Sequence, residues 1–312
     1  MRALVIGAGS VGGYFGGRLA VAGRDVTFLV RPRRAAQLAG VLTIVSNGQE
    51  TRVPAKVITT GQAAGEFDVI LLAVKAYQLN AAIEDFTSYV TQRSVILPVL
   101  NGMKHVDILR SRFGSPHVIG GIARIASSLD DQGRILDHAD FHDLAYGEWN
   151  RERSPRILAI DQFMTGAGFE ACLSADIERD MWEKWAMLAS LAAITCLMDG
   201  SVGQVARAQG GLDLVNRLLG EIAAAIEAAW QPLTDSFKAR VLSLLTNRGS
   251  SLTASMYRDM KGGYPVEADQ IIGDLVMRAA EKRVATPLLS AALTRLKVYE
   301  ETLGAKSGSV GG

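Results

Sequence analysis

A glycine-rich turn near the start of the chain carries the clearest chemical signal. Gly7, Gly9 and Gly12 follow the apolar run 3–6 and precede a helix-like stretch that ends at Gly23. In a strand–turn–helix unit, such glycines permit a sharp turn, a close approach of backbone N–H groups to a pyrophosphate, and close packing of the helix on the strand. The helix N-terminus favours the negative charge of the phosphates. The residues expected to bind a dinucleotide here are Gly7, Ala8, Gly9, Ser10, Val11 and Gly12.

The residues after the second strand distinguish the two common dinucleotides. A site for NAD usually has an acidic residue there, which accepts hydrogen bonds from the ribose hydroxyls. This chain has Arg31 after the strand 26–30, followed by Arg33 and Arg34. Guanidinium groups attract a 2′-phosphate, whereas a carboxylate repels one. The pattern therefore indicates NADP(H), and a solvated basic turn is the simpler alternative.

Lys184 interrupts an apolar helix face between two tryptophans. Helical spacing places Met181, Leu188 and Leu191 on the same face as this lysine. An ammonium that is partly shielded from water has a lowered pKa, which suits it to donate a proton. A lysine whose stem packs while its charged end reaches water gives the same pattern, so both interpretations stay open.

Two polar residues follow predicted buried strands. Asn101 comes after the apolar run 94–100, and Lys75 after the run 69–74. Ligands of open α/β sheets gather outside the carboxyl ends of the strands, so both residues are candidates for a site. An ordinary turn residue and an exposed lysine at a strand end are the alternatives.

The C-terminal third offers two further candidates. Glu267 stands in the first turn of a predicted helix, where a carboxylate is favourable whatever its role. Ser255 lies in a predicted helix at 251–260, and a plain solvated serine is the default interpretation. The four histidines have no metal-ligand spacing, so we expect no metal. The two cysteines, Cys172 and Cys196, lie among apolar neighbours and are expected to be buried thiols.

Composition restricts the partners. The chain has 312 residues, of which 48% are hydrophobic and 21% charged, enough for two domains with their own cores. A net charge of +1 gives no reason to expect a nucleic acid or an acidic membrane surface. The longest apolar run, 185–198, is shorter than the about 20 residues that span a bilayer. We therefore expect a cytoplasmic protein with no membrane segment and no cleavable signal.

The elements that position these residues form two blocks. Strands alternate with helices in the first half, as expected for an α/β fold with a parallel sheet. Asn47-Gly48 predicts a hairpin within 42–58 and the segment 135–146 a second hairpin, and from residue 177 the pattern is helical. We predict an N-terminal Rossmann-type dinucleotide-binding domain followed by an all-α domain, with a substrate site in the crevice between them. The predicted boundaries are 1–177, 178–303, and a disordered tail at 304–312.

Taken in order, the motifs resemble those of the ketopantoate reductase (2-dehydropantoate 2-reductase) family over nearly the whole chain. The resemblance implies NADPH-dependent reduction of ketopantoate to pantoate, with a small 2-oxo acid as the binding partner. The matching residues are Gly7, Gly9, Gly12, Arg31, Val74-Lys75, Asn101-Gly102-Met103, Trp182-Glu183-Lys184, Ser255-Met256 and Glu267.

The resemblance also implies a role for each candidate. Lys184 would be the general acid, and Glu267 would bind the substrate hydroxyl and help to keep Lys184 charged. Asn101 would fix both cofactor and substrate. Ser255 would bind the substrate carboxylate, and Lys75 would lie near the nicotinamide.

One departure from the family bears on the substrate. Family members place asparagines four and eight residues after the lysine, where this chain has Leu188 and Ala192. Loss of two polar contacts changes specificity, so a bulkier or more apolar 2-oxo acid is an alternative to ketopantoate.

Two other functions remain open. One is a β-hydroxyacid dehydrogenase, against which the pair Ser255 and Glu267 argues. The other is a non-catalytic NADP(H) sensor, against which the retained Lys184 and Glu267 argue. The long apolar helices 177–198 and 212–230 could serve either a homodimer or the core of the helical domain.

Overall fold

A computed structural model describes residues 1–138 and 141–308 of the chain. The chain forms two compact units. The first comprises Met1–Leu100 and His105–Met181, and the second comprises Asn101–Lys104 and the chain from Trp182 onward. The short segment 101–104 thus belongs to the helical unit although it lies within the sequence of the first, which no sequence pattern predicts.

The first unit is built on a five-stranded parallel sheet with the strand order β5-β2-β1-β6-β7. In chain order the elements up to residue 173 are β1 (Arg2–Ile6), α1 (Ser10–Val21), β2 (Asp25–Leu29), α2 (Pro32–Leu38), β3 (Val41–Ser46), β4 (Gln49–Pro54), β5 (Lys56–Ile58), β6 (Val69–Leu72), α3 (Leu79–Phe86), β7 (Val95–Pro98), α4 (Lys104–Phe113), β8 (Gly120–Arg124), β9 (Ser127–Leu129), β10 (Ile135–Asp137), β11 (Asp143–Gly147), α5 (Pro155–Met164) and β12 (Glu170–Leu173).

The central strands are buried on both faces, which explains their continuous apolar sequences. Successive residues of a strand point to opposite sides, and each side of this sheet has its own core. Val5 and Leu71 belong to one cluster of buried residues, whereas Leu4 and Ile70 belong to the other. The alternation of strand and helix predicted from sequence is therefore confirmed.

One of the two predicted hairpins is confirmed and the other is wrong. β3 and β4 pair antiparallel through Asn47 and Gly48, which have φ of +50° and +76° and suit a two-residue turn. By contrast, β10 pairs with β9, while β11 pairs with β8 and β12 in a separate sheet. The true turn lies at 130–133, because the Asp130 carboxylate accepts hydrogen bonds from the backbone N–H and the Nε of Arg134.

The second unit is helical, as predicted. Helix α6 begins in the first unit and continues into the second, and a π-helical segment, Asp269–Gly273, leads directly into α11. Within the described ranges, no helix has both the length and the hydropathy needed to cross a membrane. The helices are α6 (Ile177–Leu197), α7 (Val202–Arg207), α8 (Gly211–Ala229), α9 (Asp235–Leu245), α10 (Ser255–Lys261), α11 (Asp274–Glu281) and α12 (Pro287–Gly308).

Helix α12 extends further than the sequence suggests. It includes residues 304–308, which we assigned to a disordered tail. Ala305 and Lys306 are good helix formers and no proline interrupts them, so the helix continues past Gly304. The remainder of the predicted tail, 309–312, lies outside the described residues.

Candidate functional site

The glycine-rich turn joins β1 to α1 through close backbone packing. Gly7 has a φ of +90°, and a Cβ on Gly12 would lie 2.1 Å from the Gly7 carbonyl oxygen, so neither position accepts a side chain. Gly9 differs, because a Cβ there would meet no protein atom within 4 Å. The first N–H groups of an α-helix have no intrahelical partner. The open space at Gly9, beside the first turn of α1, therefore fits an anionic group such as a phosphate.

A cleft runs along this turn. Its lining includes several of the residues predicted to bind a dinucleotide. Lys75 is exposed and follows the lining residue Val74 in sequence, but does not itself line the cleft. Apolar walls with a few polar groups are typical of small-molecule sites. The lining residues are Ile6, Gly7, Ala8, Gly9, Leu29, Val30, Arg31, Arg34, Val74, Gln78, Ala82, Asp85 and Leu129.

Two arginines contribute to this lining in different ways. Arg31 immediately precedes α2 and has an exposed side chain. Arg34 is half-buried, and its Nε donates a 2.9 Å hydrogen bond to the carbonyl of Ala8 in the glycine-rich turn. Its Nη1 donates to the carbonyl of Gly133 and to the side chain of Gln37. Its Nη2 is buried without a hydrogen-bond partner, and burial lowers the pKa of Arg34.

Lys184 lies on α6 in the helical unit. The lysine itself is half-buried, whereas Trp182 and Trp185 on either side of it are almost completely buried. Trp182 stacks on Trp230 with ring centroids 5.5 Å apart. The guanidinium of Arg278 lies 5.8 Å from the ring centroids of both Trp182 and Trp185. This packing fixes the helix on both sides of Lys184.

Glu267 precedes a segment that is hydrogen-bonded to the same helix. Glu267 is only 8% exposed. Its backbone carbonyl accepts a 3.0 Å hydrogen bond from the N–H of Ile271. The carbonyl of Ile271 in turn accepts a 2.8 Å bond from the indole N–H of Trp185. Both bonds lie at the π-helical segment 269–273, and such segments occur frequently at functional sites. The segment that carries Glu267 is thus bonded to the helix that carries Lys184.

Asn101 belongs to the helical unit and contacts the same π-helical segment. Its carbonyl accepts a 2.8 Å hydrogen bond from the side chain of Gln270. Gly102 has a φ of +79°, and a Cβ there would approach the Gln270 carbonyl oxygen to 2.7 Å, so glycine is required. Asn101 and Gly102 lie in a bend that packs on the element that follows Glu267.

Ser255 is linked to a part of α6 that lies further from Lys184. It is exposed and begins α10. The preceding residue, Ala254, donates its N–H to the side chain of Thr195 on α6, about three turns beyond Lys184. Helix α6 therefore connects the segments that carry Lys184, Glu267 and Ser255.

The candidate residues thus fall into two groups. The first unit holds the glycine-rich turn and Arg31, and the second holds Lys184, Glu267, Asn101 and Ser255. Two residues that organise the second group, Trp185 and Gln270, were not predicted as site residues, and Arg34 was noted only as part of the basic run after Arg31. Within 1–138 and 141–308, no cluster of three or more histidine, cysteine or acidic side chains is placed to hold a metal ion.

These features define a class of protein: a Rossmann-type nucleotide-binding unit followed by a helical unit that presents a partly buried lysine. The family model "Ketopantoate reductase PanE/ApbA" matches residues 3–151, and its C-terminal counterpart matches residues 176–300. The chain belongs to the ketopantoate reductase family, a family of oxidoreductases.

Individual relatives align over almost their full lengths. The chain is 37% identical over 301 residues to "Uncharacterized oxidoreductase YkpB" of Bacillus subtilis, covering 96% of this chain and 99% of that one. It is 26% identical over 322 residues to the 2-dehydropantoate 2-reductase of Mesorhizobium japonicum, covering 95% and 97%.

Solved structures share the fold. The 2-dehydropantoate 2-reductase of Geobacter metallireducens superimposes with a TM-score of 0.84 at 24% identity, covering 95% of this chain and 99% of that one. A ternary structure of D-mandelate dehydrogenase with NADH and anilino(oxo)acetate gives 0.86 at 19%, covering 97% and 100%. The dimeric ketopantoate reductase of Staphylococcus aureus gives 0.80 at 19%, with the same coverage. At these identities the likeness establishes the fold alone.

Proposed function

We propose that the protein catalyses the NADPH-dependent reduction of a 2-oxo acid, ketopantoate or a close relative, to the 2-hydroxy acid. For ketopantoate the product is pantoate, which would place the reaction in pantothenate biosynthesis. The observation that carries this proposal is the hydrogen bond between Trp185 and Ile271, because it joins the helix of Lys184 to the segment of Glu267. An ammonium and a carboxylate on connected segments suit the protonation of a ketone oxygen.

The cofactor would be held by the glycine-rich turn and by Arg31. The empty space beside Gly9 fits an anionic ligand. When bound, NADPH supplies the hydride that reaches the carbonyl carbon of the substrate. Arg31 supports the phosphorylated form, because it lines the cleft where an NAD site would have a carboxylate. Ser10, Val11 and Gly12 would contribute N–H groups from the first turn of α1, and Lys75 would lie near the nicotinamide.

The protein's own groups would supply the proton. Lys184 would donate it from Nζ to the ketone oxygen as the carbonyl carbon is reduced, so that a hydroxyl forms and a neutral amine remains. The amine would then regain a proton from water. Glu267 would accept a hydrogen bond from the substrate hydroxyl and favour the charged state of the lysine. Asn101 would orient the substrate and Ser255 would bind its carboxylate.

The substrate specificity follows from the face of α6 beyond the lysine. Leu188 and Ala192 lie one and two turns after Lys184 on the same face. Apolar side chains there favour a 2-oxo acid with an apolar substituent over one with a polar substituent. A protein of the same fold, D-mandelate dehydrogenase, has been solved with anilino(oxo)acetate, which supports the proposal of such a ligand here.

A screen of substrates and cofactors tests the proposal. Purified protein is assayed with NADPH and with NADH against ketopantoate, 2-oxoisovalerate, phenylglyoxylate and pyruvate. We expect turnover with NADPH and at least one branched or aromatic 2-oxo acid. Tight binding of NADPH with no reduction of any carbonyl compound would instead support the sensor. Oxidation of 3-hydroxy acids in place of 2-oxo acid reduction would support a β-hydroxyacid dehydrogenase.

We also propose a cytoplasmic homodimer. Cys172, which is half-buried rather than buried as expected, and Cys196, which is buried, are both free thiols, and this is consistent with a reducing compartment. The Staphylococcus aureus enzyme of this fold is described as dimeric. Size-exclusion chromatography with light scattering measures the mass directly.

A further inference from the structure

Three consecutive residues of the π-helical segment are bonded to three different parts of the helical unit. The carboxylate of Asp269 accepts a 2.7 Å hydrogen bond from Nζ of Lys297 on α12. The side chain of Gln270 donates a 2.8 Å bond to the carbonyl of Asn101. The carbonyl of Ile271 accepts the indole bond from α6. The segment that follows the proposed substrate-binding carboxylate is therefore a junction of three elements.

These three contacts differ in how much they depend on the side chain that makes them. The side chains of Asp269 and Lys297 are 64% and 44% exposed, and an ion pair at that exposure contributes little. Ile271 uses its backbone carbonyl, which any residue would offer. Gln270 is only 6% exposed, and its contact depends on its own amide. Gln270 is thus the residue whose identity determines how the segment holds the bend at Asn101.

Gln270 touches this bend with both its side chain and its backbone. The amide bonds the carbonyl of Asn101, and the Gln270 carbonyl oxygen lies 2.7 Å from where a Cβ on Gly102 would be. The close backbone approach leaves little room for the bend to shift toward the segment. Loss of the amide would leave the Asn101 carbonyl without this donor, at a cost in free energy. The two contacts together fix the bend in one position.

Gln270 also stands within one helical turn of Glu267. The carbonyl of Glu267 accepts the N–H of Ile271, so Glu267 begins the turn that contains Gln270. Three residues of helix rise about 4.5 Å along the axis. The bend at Asn101 is therefore bonded to a side chain that is rigidly connected to Glu267. A single residue links the two groups that are proposed to orient the substrate and to bind its hydroxyl.

We propose that Gln270 is a positioning residue for the 2-oxo acid. Its amide holds Asn101 at a fixed distance from Glu267, so that both side chains reach the same small substrate. Misplacement of a substrate-orienting group by about 1 Å can lower a rate by up to about 10²-fold. The inference rests on the proposed function, because it requires Asn101 and Glu267 to contact the substrate.

A purely structural role for Gln270 makes a different prediction. If its amide only stabilised the helical unit, any effect of its loss on kcat/KM would be independent of the side chain at position 101. If Gln270 acts through the Asn101 side chain, its loss has no further effect once that side chain is removed. Asn101→Ala makes this separation possible, because it removes the side chain and keeps the backbone carbonyl that Gln270 bonds.

A double-mutant cycle on the full chain tests the proposal. Gln270→Met removes the donor at similar size, and Gln270→Glu keeps the shape but has no donor when ionised. Each is made in the wild-type and in the Asn101→Ala background, and if one does not fold, the cycle is carried out with the other. Asn216→Leu is the control, because its amide also bonds a backbone carbonyl in the helical unit, at 2.7 Å. Steady-state kinetics use saturating cofactor and the best 2-oxo acid of the screen, and urea unfolding gives the midpoint of each variant.

In the wild-type background we expect Gln270→Met to lower kcat/KM for the 2-oxo acid by about tenfold. Gln270→Glu should lower it further, because its carboxylate faces the carbonyl oxygen of Asn101. In the Asn101→Ala background the same changes should alter kcat/KM by less than about twofold. The urea midpoint should fall equally in both backgrounds, and Asn216→Leu should keep the wild-type kcat/KM.

Two results would overturn the inference alone: losses in kcat/KM that are additive with Asn101→Ala, or an undiminished kcat/KM in a folded Gln270 variant. A wild-type protein that reduces no 2-oxo acid would overturn the proposed function, and this inference with it. The activity of the wild type therefore distinguishes the two failures.

Discussion

The indole N–H of Trp185 donates a 2.8 Å hydrogen bond to the carbonyl of Ile271, and both residues are almost completely buried. The bond crosses 86 residues of sequence. It fixes α6, next to Lys184, against the π-helical segment that begins two residues after Glu267. This buried contact therefore helps to fix the helix that carries Lys184 against the segment that follows Glu267.

Trp185→Phe should impair turnover more than it impairs cofactor binding. The ring remains, but the carbonyl of Ile271 loses its donor, at a cost of about 1–2 kcal/mol. Trp149→Phe is a matched control, because its indole N–H also donates a 2.8 Å bond, to the carbonyl of Val118 in the first unit. Urea unfolding and steady-state kinetics should show similar destabilisation for both variants and a reduced kcat only for Trp185→Phe. Equal kcat values would mean that the contact does not position the site.

Lys184→Ala should lose most of the turnover. Removal of a general acid typically lowers the rate by about 10²–10⁴-fold. The affinity for NADPH should remain nearly unchanged, because Lys184 lies in the helical unit and the cleft residues lie in the first. Lys282, an exposed lysine at the end of α11, provides the control variant Lys282→Ala. An unchanged kcat in Lys184→Ala would remove this residue from the mechanism.

Alanine substitutions at two glycines of the same turn should affect different properties: stability at Gly12 and cofactor affinity at Gly9. Gly12→Ala would place Cβ 2.1 Å from a backbone oxygen and should lower the free energy of unfolding by about 3 kcal/mol. Gly9→Ala meets no protein atom, and its backbone is already extended, so stability should change by less than about 1 kcal/mol. Its methyl group would occupy the space proposed for the phosphates, and NADPH affinity should fall at least about tenfold. Undiminished affinity in Gly9→Ala would place the phosphates elsewhere.

Arg31→Asp should shift the preference from NADPH toward NADH. A carboxylate at the end of β2 repels a 2′-phosphate and accepts hydrogen bonds from the ribose hydroxyls. The ratio of kcat/KM for the two cofactors is the measurement, and Arg33→Asp, at an exposed position outside the cleft lining, controls for the change in net charge. An unaltered ratio in Arg31→Asp would show that Arg31 does not bind the phosphate.

Acid should remove one stabilising ion pair in the first unit. The Glu148 carboxylate accepts hydrogen bonds from Nε and Nη2 of Arg156 and from Ser154, and the bonds from Arg156 come first among the causes that hold the pKa of Glu148 below its ordinary 4.5. A lowered pKa means that this contribution is present above pH 4.5 and is lost as the pH falls through the folded-state pKa. Glu148→Gln should therefore lower the free energy of unfolding by about 1–3 kcal/mol at pH 7 and by less below pH 4.

Urea titrations at pH 7 and at pH 3.5 measure this difference. Glu50→Gln serves as the control, because Glu50 pairs with Arg134 at the surface and is half exposed. Surface pairs contribute about 0–1 kcal/mol. A Glu148→Gln effect that is the same at both pH values would exclude the ionised carboxylate as the source of the stability.

Local sequence determines much of this fold. The strand–turn–helix at residues 2–21 and the hairpin at Asn47-Gly48 were predictable because glycine and asparagine fix the backbone there. The second hairpin was misplaced because its turn depends on a side chain: the Asp130 carboxylate bonds Arg134, and no Asn-Gly pair marks the position. The extension of α12 through residues 304–308 was missed because a small, polar, glycine-rich composition does not distinguish a helix end from a disordered tail.

The candidate site was predictable only in part, for a related reason. Residue types and spacing made Gly9, Arg31 and Lys184 candidates, and the family resemblance added Glu267. The residues that orient them have partners far away in the sequence: Gln270 bonds a carbonyl 169 residues away. Such pairings arise only when the chain is folded, so neither composition nor periodicity reveals them.

The placement of residues 101–104 limits how members of this family can be recombined. Because Gln270 bonds the carbonyl of Asn101, a chimera joined once, after Met181, would combine a Gln270 region from one parent with an Asn101 turn from the other. Two additional crossovers, flanking 101–104, would keep that pair native. Shuffled libraries with a single junction should therefore yield fewer active hybrids than libraries that transplant the short segment along with the helices.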